Sequence, residues 1–139
     1  MTEPKPLKRG FQQMCDEAMA EVETLSVADA AAKFDDPDVL FVDIRDPREL
    51  DREGQIPGAF NANRGMLEFW VDPDSPYYHE ELGQGKEMIL YCAGGLRSAL
   101  ATKTLQDMGV PNVKHIGGGF GAWKAADKPT GERERRQRG

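Results

Sequence analysis

Three short runs constrain this chain more than any other feature: "VLFVDI" at Val39–Ile44, "MILY" at Met88–Tyr91 and "VKHI" at Val113–Ile116. The first is apolar without alternation until Asp43, the pattern of a strand covered on both faces. The second reads the same way, and the third as one more strand. Segments of helical period lie between them, and strands alternating with such helices imply a parallel sheet. The expected fold class is α/β: three layers, with a central, mostly parallel sheet and helices on both faces. The 139 residues suit one compact domain.

The intervening segments can be read one at a time. Phe11, Met14, Cys15, Ala18, Met19 and Val22 share one stripe, with Gln13, Asp16, Glu17 and Glu21 turned away. That predicts an amphipathic helix that buries Cys15 as a small core residue and packs on its own domain or on a second copy. "VETL" reads as a short strand. Ser26 with Asp29 three residues on resembles a capping box, opening a helix through Val27, Ala30, Ala31 and Phe34. Asp46 before Pro47 has the form of an N-cap and first helical residue, so a short helix should run to near Gly54. "GQIPGAFNAN" reads as a turn and exposed loop. "GMLEFWV" reads as a helical turn with Met66, Leu67, Phe69 and Trp70; Met66, Phe69 and Trp70 would cover the sheet or wall the pocket, and core packing is the favoured reading. From Arg97 to Met108 the residues Leu100, Ala101, Thr104, Leu105 and Met108 form one helical face, closed by Gly109. Phe120 and Trp123 mark a last helix stopped by Pro129. The tail "GERERRQRG" carries four arginines against two glutamates and reads as disordered. The expected organisation is a helical extension over 1–21, a domain over 22–130 and a polar tail over 131–139.

The chemistry gathers at "YCAGGLRSAL". In a parallel α/β sheet, ligands bind outside the carboxyl ends of the strands. Cys92 follows a buried strand directly and precedes a helix, so its loop lies at the positive end of that helix. Gly94 and Gly95 let the backbone curl so that successive N–H groups face inward as an anion nest. Cysteines in such places ionise more readily, with pKa values lowered from about 8.5 to roughly 3.5–7.5, and the thiolate is the attacking form. Arg97 adds a cation with a planar fork suited to an oxyanion, and Ser98 a hydroxyl at the rim. Each residue alone has a bland reading as a packed thiol, a turn, a solvated cation or a cap. In this order they favour a nucleophile.

The stretch Cys92, Ala93, Gly94, Gly95, Leu96, Arg97, Ser98 resembles the active-site loop of the rhodanese family of sulfurtransferases, often C-x-x-G-x-R-S in its single-domain members. "VDIRDPREL" resembles the family's D-x-R signature, "GQIPGAFN" its G-H-I-P-G-A turn, and "GGFGAWKAADKP" its C-terminal G-G-x-x-x-W. The resemblance covers about Val22 to Thr130. Gln55 stands where the family usually has His. The resemblance implies a rhodanese-like three-layer fold and a sulfurtransferase working without a cofactor. Cys92 would take a sulfane sulfur from a donor such as thiosulfate and hold it as a persulfide. Ala93 to Ser98 would bind the anionic donor, and cyanide, a thiol or a protein acceptor would receive the sulfur. Asp43 and Arg45 match the D-x-R, in a structural role or lining the pocket.

Two readings of other classes stay open. The family also contains non-catalytic or partner-dependent sulfur-carrier and regulatory modules. Cysteine phosphatases and arsenate reductases of related fold use cysteine, five residues, then arginine, whereas four residues separate Cys92 from Arg97 here, and Tyr91 replaces the preceding His.

The formal charge of −6 argues against general nucleic-acid or anionic-membrane binding. No apolar run approaches the roughly 20 residues that span a bilayer. Gln12, Gln13, Asp16 and Glu17 interrupt any candidate signal segment, so the expected location is cytoplasmic. Cys15 and Cys92 have neither disulfide nor zinc spacing, and the lone His79 and His115 read as ordinary residues, so no metal is expected.

Overall fold

The protein is described here by a computed structural model covering residues 2–135. Five strands form one sheet in the order β1-β5-β4-β2-β3, every pairing parallel. They are β1 (Glu23–Leu25), β2 (Val39–Asp43), β3 (Phe60–Asn61), β4 (Glu87–Tyr91) and β5 (Val113–Ile116). The helices are α1 (Phe11–Glu21), α2 (Val27–Ala31), α3 (Pro47–Glu53), α4 (Leu67–Val71), α5 (Leu96–Asp107) and α6 (Gly119–Ala125). Single 3₁₀ turns occupy Arg64–Met66 and Glu80–Gly83.

Because strand side chains alternate between faces, β4 feeds two cores at once. Met88, Leu90 and the following Cys92 join Val42, Leu67, Ala101 and Leu105 on one face. Ile89 and Tyr91 join Phe41, Ile116, Phe120 and Trp123 on the other. Phe41 meets Trp123 edge-on at 5.7 Å between ring centroids, and the Trp123 indole N–H donates to the Pro129 carbonyl at 2.7 Å. The aromatic pair adds about 0.5–1.5 kcal/mol to its area burial. Strand β4 is therefore the spine of the domain, and the cysteine stands on its carboxyl end.

Local chemistry opens the helices at the expected caps, although α2 ends at Ala31 and Phe34 lies in the turn that follows. Ser26 accepts the Asp29 N–H at 3.0 Å. The Asp46 carboxylate accepts the Arg48 N–H at 2.8 Å while Glu49 accepts the Asp46 N–H at 3.0 Å, closing a capping box around Pro47.

Several expectations need correction. "GQIPGAFNAN" is no exposed loop: Gln55, Ile56, Phe60 and Ala62 are buried, and Phe60–Asn61 is strand β3, beside β2. Only Cys15, Ala18 and Val22 of the α1 stripe are buried, while Phe11, Met14 and Met19 face outward. The helix packs along α5, so a narrow seam suffices. On α5 the buried face is Ser98, Ala99, Ala101, Thr102 and Leu105, and Met108 is exposed. Phe69 is exposed and meets Tyr77 edge-on, whereas Trp70 stacks on His79 at 4.1 Å.

The first residues of the tail pack back on Gln55 and Asp51. Gly131 exchanges both backbone hydrogen bonds with Gln55, at 2.8 and 2.9 Å. The Gln55 side-chain oxygen accepts the Glu134 N–H at 2.8 Å, and Arg133 and Arg135 both reach Asp51. Residues 131–135 of the tail thus make specific contacts with the domain, and residues 136–139 lie outside the described residues. No helix among the described residues is long and apolar enough to cross a membrane.

Candidate active site

Strand β4 delivers Cys92 to the sheet's carboxyl edge, where Gly95 reverses the chain at φ +100° and starts α5. A side chain is costly at that φ, and a Cβ on Gly95 would lie 3.1 Å from the Gly118 nitrogen. The thiol is 1% exposed, at the floor of a loop whose Ala93, Gly94, Leu96 and Arg97 face solvent. Its sulfur accepts the Gly95 N–H at 3.1 Å and the Ser98 N–H at 3.3 Å. The nest expected from the two glycines thus has two donors on the sulfur itself, at the N-terminus of a twelve-residue helix. The outer rim is held by α6, as Phe120 and Gly121 donate their N–H groups to the Cys92 and Ala93 carbonyls at 2.8 and 3.0 Å.

Arg97 does not point freely over the loop. Both of its terminal nitrogens lie 3.0 Å from the Glu49 carboxylate of α3. The hydrogen bond from Arg97 holds Glu49 below the usual carboxylate range, and Glu49 in turn raises Arg97. Among the described residues the structure therefore brings Cys92, Gly95 and Ser98 together, and joins Arg97 to a carboxylate absent from the sequence reading.

Asp43 and Arg45 form a buried pair beneath this edge. Arg45 Nε and Nη2 donate to Asp43 at 3.0 and 2.7 Å, Nη2 also donates to the Gly54 carbonyl at 2.8 Å, and the guanidinium lies 4.4 Å from the Phe120 ring centre. Both side chains are essentially unexposed, which suits a structural tie between β2, α3 and α6 better than a pocket wall. Gln55 is likewise saturated: its amide N–H groups reach the Ile56 and Ala59 carbonyls at 3.2 and 3.4 Å.

His115 carries no signal in the sequence beyond its strand position, yet it is buried with Nδ1 2.9 Å from the Ser98 hydroxyl. Burial pushes it down to about 4. The apolar cavity of about 480 Å³ lined by Val71, Leu82, Met88, Met108 and Val110 is at the opposite end of the sheet.

The profile of the rhodanese-like domain matches residues 26–126. The chain is 31% identical over 103 residues to a sulfurtransferase of Allochromatium vinosum, covering 74% of this chain and 86% of the relative. It is 32% identical over 112 residues to a thiosulfate sulfurtransferase of Pseudoalteromonas translucida, covering 78% and 95%. Among solved structures, a protein of unknown function from Rhodopseudomonas palustris, described as a possible tyrosine phosphatase, superposes with a TM-score of 0.89 at 54% identity, covering 94% of this chain and all of that one. A polysulfide-sulfur transferase homodimer from Wolinella succinogenes superposes with a TM-score of 0.67 at 27% identity, covering 92% and 91%. This protein belongs to the rhodanese-like domain family, several of whose members are sulfurtransferases.

Proposed function

We propose that the protein moves a sulfane sulfur through a persulfide on Cys92. The observation that carries this reading is the sulfur's position: it sits on the floor of the loop and receives the Gly95 and Ser98 N–H groups at the head of α5. Those donors and the helix end favour a negatively charged sulfur. The Cys92 thiolate attacks the outer sulfur of an anionic donor such as thiosulfate. The new S–S bond forms as the donor's own S–S bond breaks, and sulfite leaves with that electron pair. The terminal sulfur of the persulfide is then taken by cyanide or a thiol, small or borne by a protein, which restores the Cys92 thiolate. No cofactor takes part. Arg97 contributes positive potential at the rim, tempered by Glu49. Both cysteines are free and buried thiols, which suits a reducing compartment such as the cytoplasm.

The Rhodopseudomonas protein invites comparison with phosphatase chemistry. Here four residues separate Cys92 from Arg97, and the Arg97 fork is already spent on Glu49. A tetrahedral phosphate would need a longer loop and a free fork.

The test is mass spectrometry of peptides after thiosulfate treatment, with thiocyanate release on adding cyanide. One added sulfur on Cys92, removed by cyanide and absent in Cys92→Ser, is the expected result. Aryl phosphate turnover that vanishes in Cys92→Ser would replace this reading with a phosphatase. Loading from a protein persulfide but not from thiosulfate would make the protein a partner-dependent sulfur carrier.

A further inference from the structure

Behind Cys92 a line of hydrogen-bonding groups runs to the edge strand β1, and the sulfur-transfer steps above make no use of it. Ser98 Oγ lies 3.6 Å from the Cys92 sulfur, 3.3 Å from the Gly95 carbonyl oxygen and 2.9 Å from His115 Nδ1. His115 Nε2 lies 2.8 Å from Thr24 Oγ1. Strand register produces this line, since Thr24 on β1 pairs with His115 on β5, which pairs with Leu90 on β4 two residues before the cysteine. Ser98 and His115 are fully buried, whereas Thr24 is exposed on the edge strand.

A buried imidazole with its pKa near 4 is neutral at physiological pH, so one ring nitrogen donates and the other accepts. Two arrangements result. If Nε2 donates to Thr24, then Nδ1 accepts the Ser98 proton and the hydroxyl has nothing to offer the sulfur. If Thr24 donates to Nε2, at 2.8 Å, rather than to the weaker and more distant Met19 sulfur at 3.7 Å, then Nδ1–H donates to Ser98 Oγ, and the Ser98 proton is free to turn. In the thiol state the S–H donates to Ser98 Oγ, and the hydroxyl proton rests on the Gly95 carbonyl. Once the sulfur is negative, rotation about the Ser98 Cβ–Oγ bond swings that proton onto it. This adds a third donor to the two backbone N–H groups. Charge-assisted bonds are roughly twice as strong as neutral ones, so the negative sulfur selects the second arrangement.

We propose that Thr24 and His115 are positioning residues for Cys92, aiming the Ser98 hydroxyl proton at the sulfur whenever it carries negative charge. The inference rests on the reading of Cys92 as the sulfur-carrying nucleophile. The ring keeps its single proton throughout, and only the hydroxyl rotor and the tautomer change. The charged groups nearest the sulfur are Arg97 from α5, paired with Glu49 from α3, while the Asp43–Arg45 pair and Tyr91 pack with Phe120 on the other face of the sheet. Lys114, next to His115, points to the opposite face of the sheet with Glu23 and Glu87. All of these stay constant in the variants below.

The test is the pH profile of Cys92 alkylation by iodoacetamide, read by peptide mass spectrometry so that Cys15 is scored separately. His115→Leu should react about 3–10-fold more slowly than wild type near neutral pH, with the gap closing at alkaline pH, where every variant is ionised. His115→Asn, whose amide can donate to Ser98 from the Nδ1 position, should recover most of the rate. Thr24→Val, an isosteric change at an exposed site, should slow alkylation about twofold with the same closure. It decides alone if His115→Leu fails to fold. Profiles superimposable on wild type, or a defect equal at every pH, would overturn the proposal. Because iodoacetamide needs no sulfur donor, this readout is separate from the test of sulfur transfer. Altered profiles in a protein that never loads sulfur would refute the proposed function and leave the positioning claim intact.

Discussion

Arg97 and Glu49 meet through two parallel contacts of 3.0 Å, tying the helix behind the cysteine loop to the helix that follows β2. Glu49 also closes the capping box at Asp46. One carboxylate therefore orders the start of α3 and partly neutralises the cation nearest the loop. The pair is partly exposed, so its direct worth to stability is small, about 0–1 kcal/mol. Its larger effect is on the potential that an anionic donor meets.

Glu49→Gln should therefore strengthen donor binding. Glutamine can still close the capping box, but it leaves Arg97 uncompensated. The expected result is a KM for thiosulfate lowered about 2–5-fold, with the gain shrinking at high salt. Steady-state kinetics at two ionic strengths check it, and a raised KM would mean that the pair itself shapes the donor site.

His115 links stability to pH in a definite direction. Its folded value of about 4 lies below the ordinary 6.5, so between these limits the unfolded chain binds a proton that the folded chain refuses. Stability from this residue is constant above about 6.5 and declines as pH falls toward 4, by at most about 3 kcal/mol. Carboxylates held low by their partners, Glu49 and Glu87 among them, add their own loss in the lower part of that range. The informative quantity is the difference between wild type and His115→Asn. Urea unfolding near pH 7 and near pH 5 should show a smaller decline in the variant.

Gly119 is the rim position least able to accept a side chain. Its φ is +61°, and a Cβ there would stand 2.5 Å from the Cys92 carbonyl oxygen and 2.7 Å from that of Ala93. Gly119→Ala should cost about 2 kcal/mol or more and displace the loop from α6. A lowered urea midpoint together with slowed Cys92 alkylation is the expected pair of results. An unchanged midpoint would show that the loop yields freely.

The tail should contribute to stability through Gln55. A chain ending at Thr130 loses the Gly131 bridge, the Glu134 N–H on the Gln55 side chain, and the carboxylate that accepts the Gly58 N–H at 2.9 Å. Leaving the buried Gln55 oxygen without its partner should cost about 1–3 kcal/mol. Thermal unfolding of the shortened chain measures it, and no change in midpoint would assign residues 131–135 a passive role.

What the sequence by itself determined is local: continuous apolar runs for strands buried on both faces, the Asp46–Pro47 cap, and a cysteine leading through two glycines into a helix. These features depend on neighbours within a few residues, and the physics of burial period, capping and positive φ is written in such short windows. Tertiary structure decided which remote groups meet. "GQIPGAFNAN" has the composition of a turn, but β2 on one side and the returning tail on the other bury it. Six apolar residues share the α1 stripe, but α5 covers only the narrow seam of Cys15, Ala18 and Val22. Arg97 finds Glu49 across 48 residues, and His115 receives Ser98 from 17 residues away and Thr24 from 91. Such encounters follow from sheet order and strand register, which arise from the packing of the whole chain and leave no trace in the residues nearby.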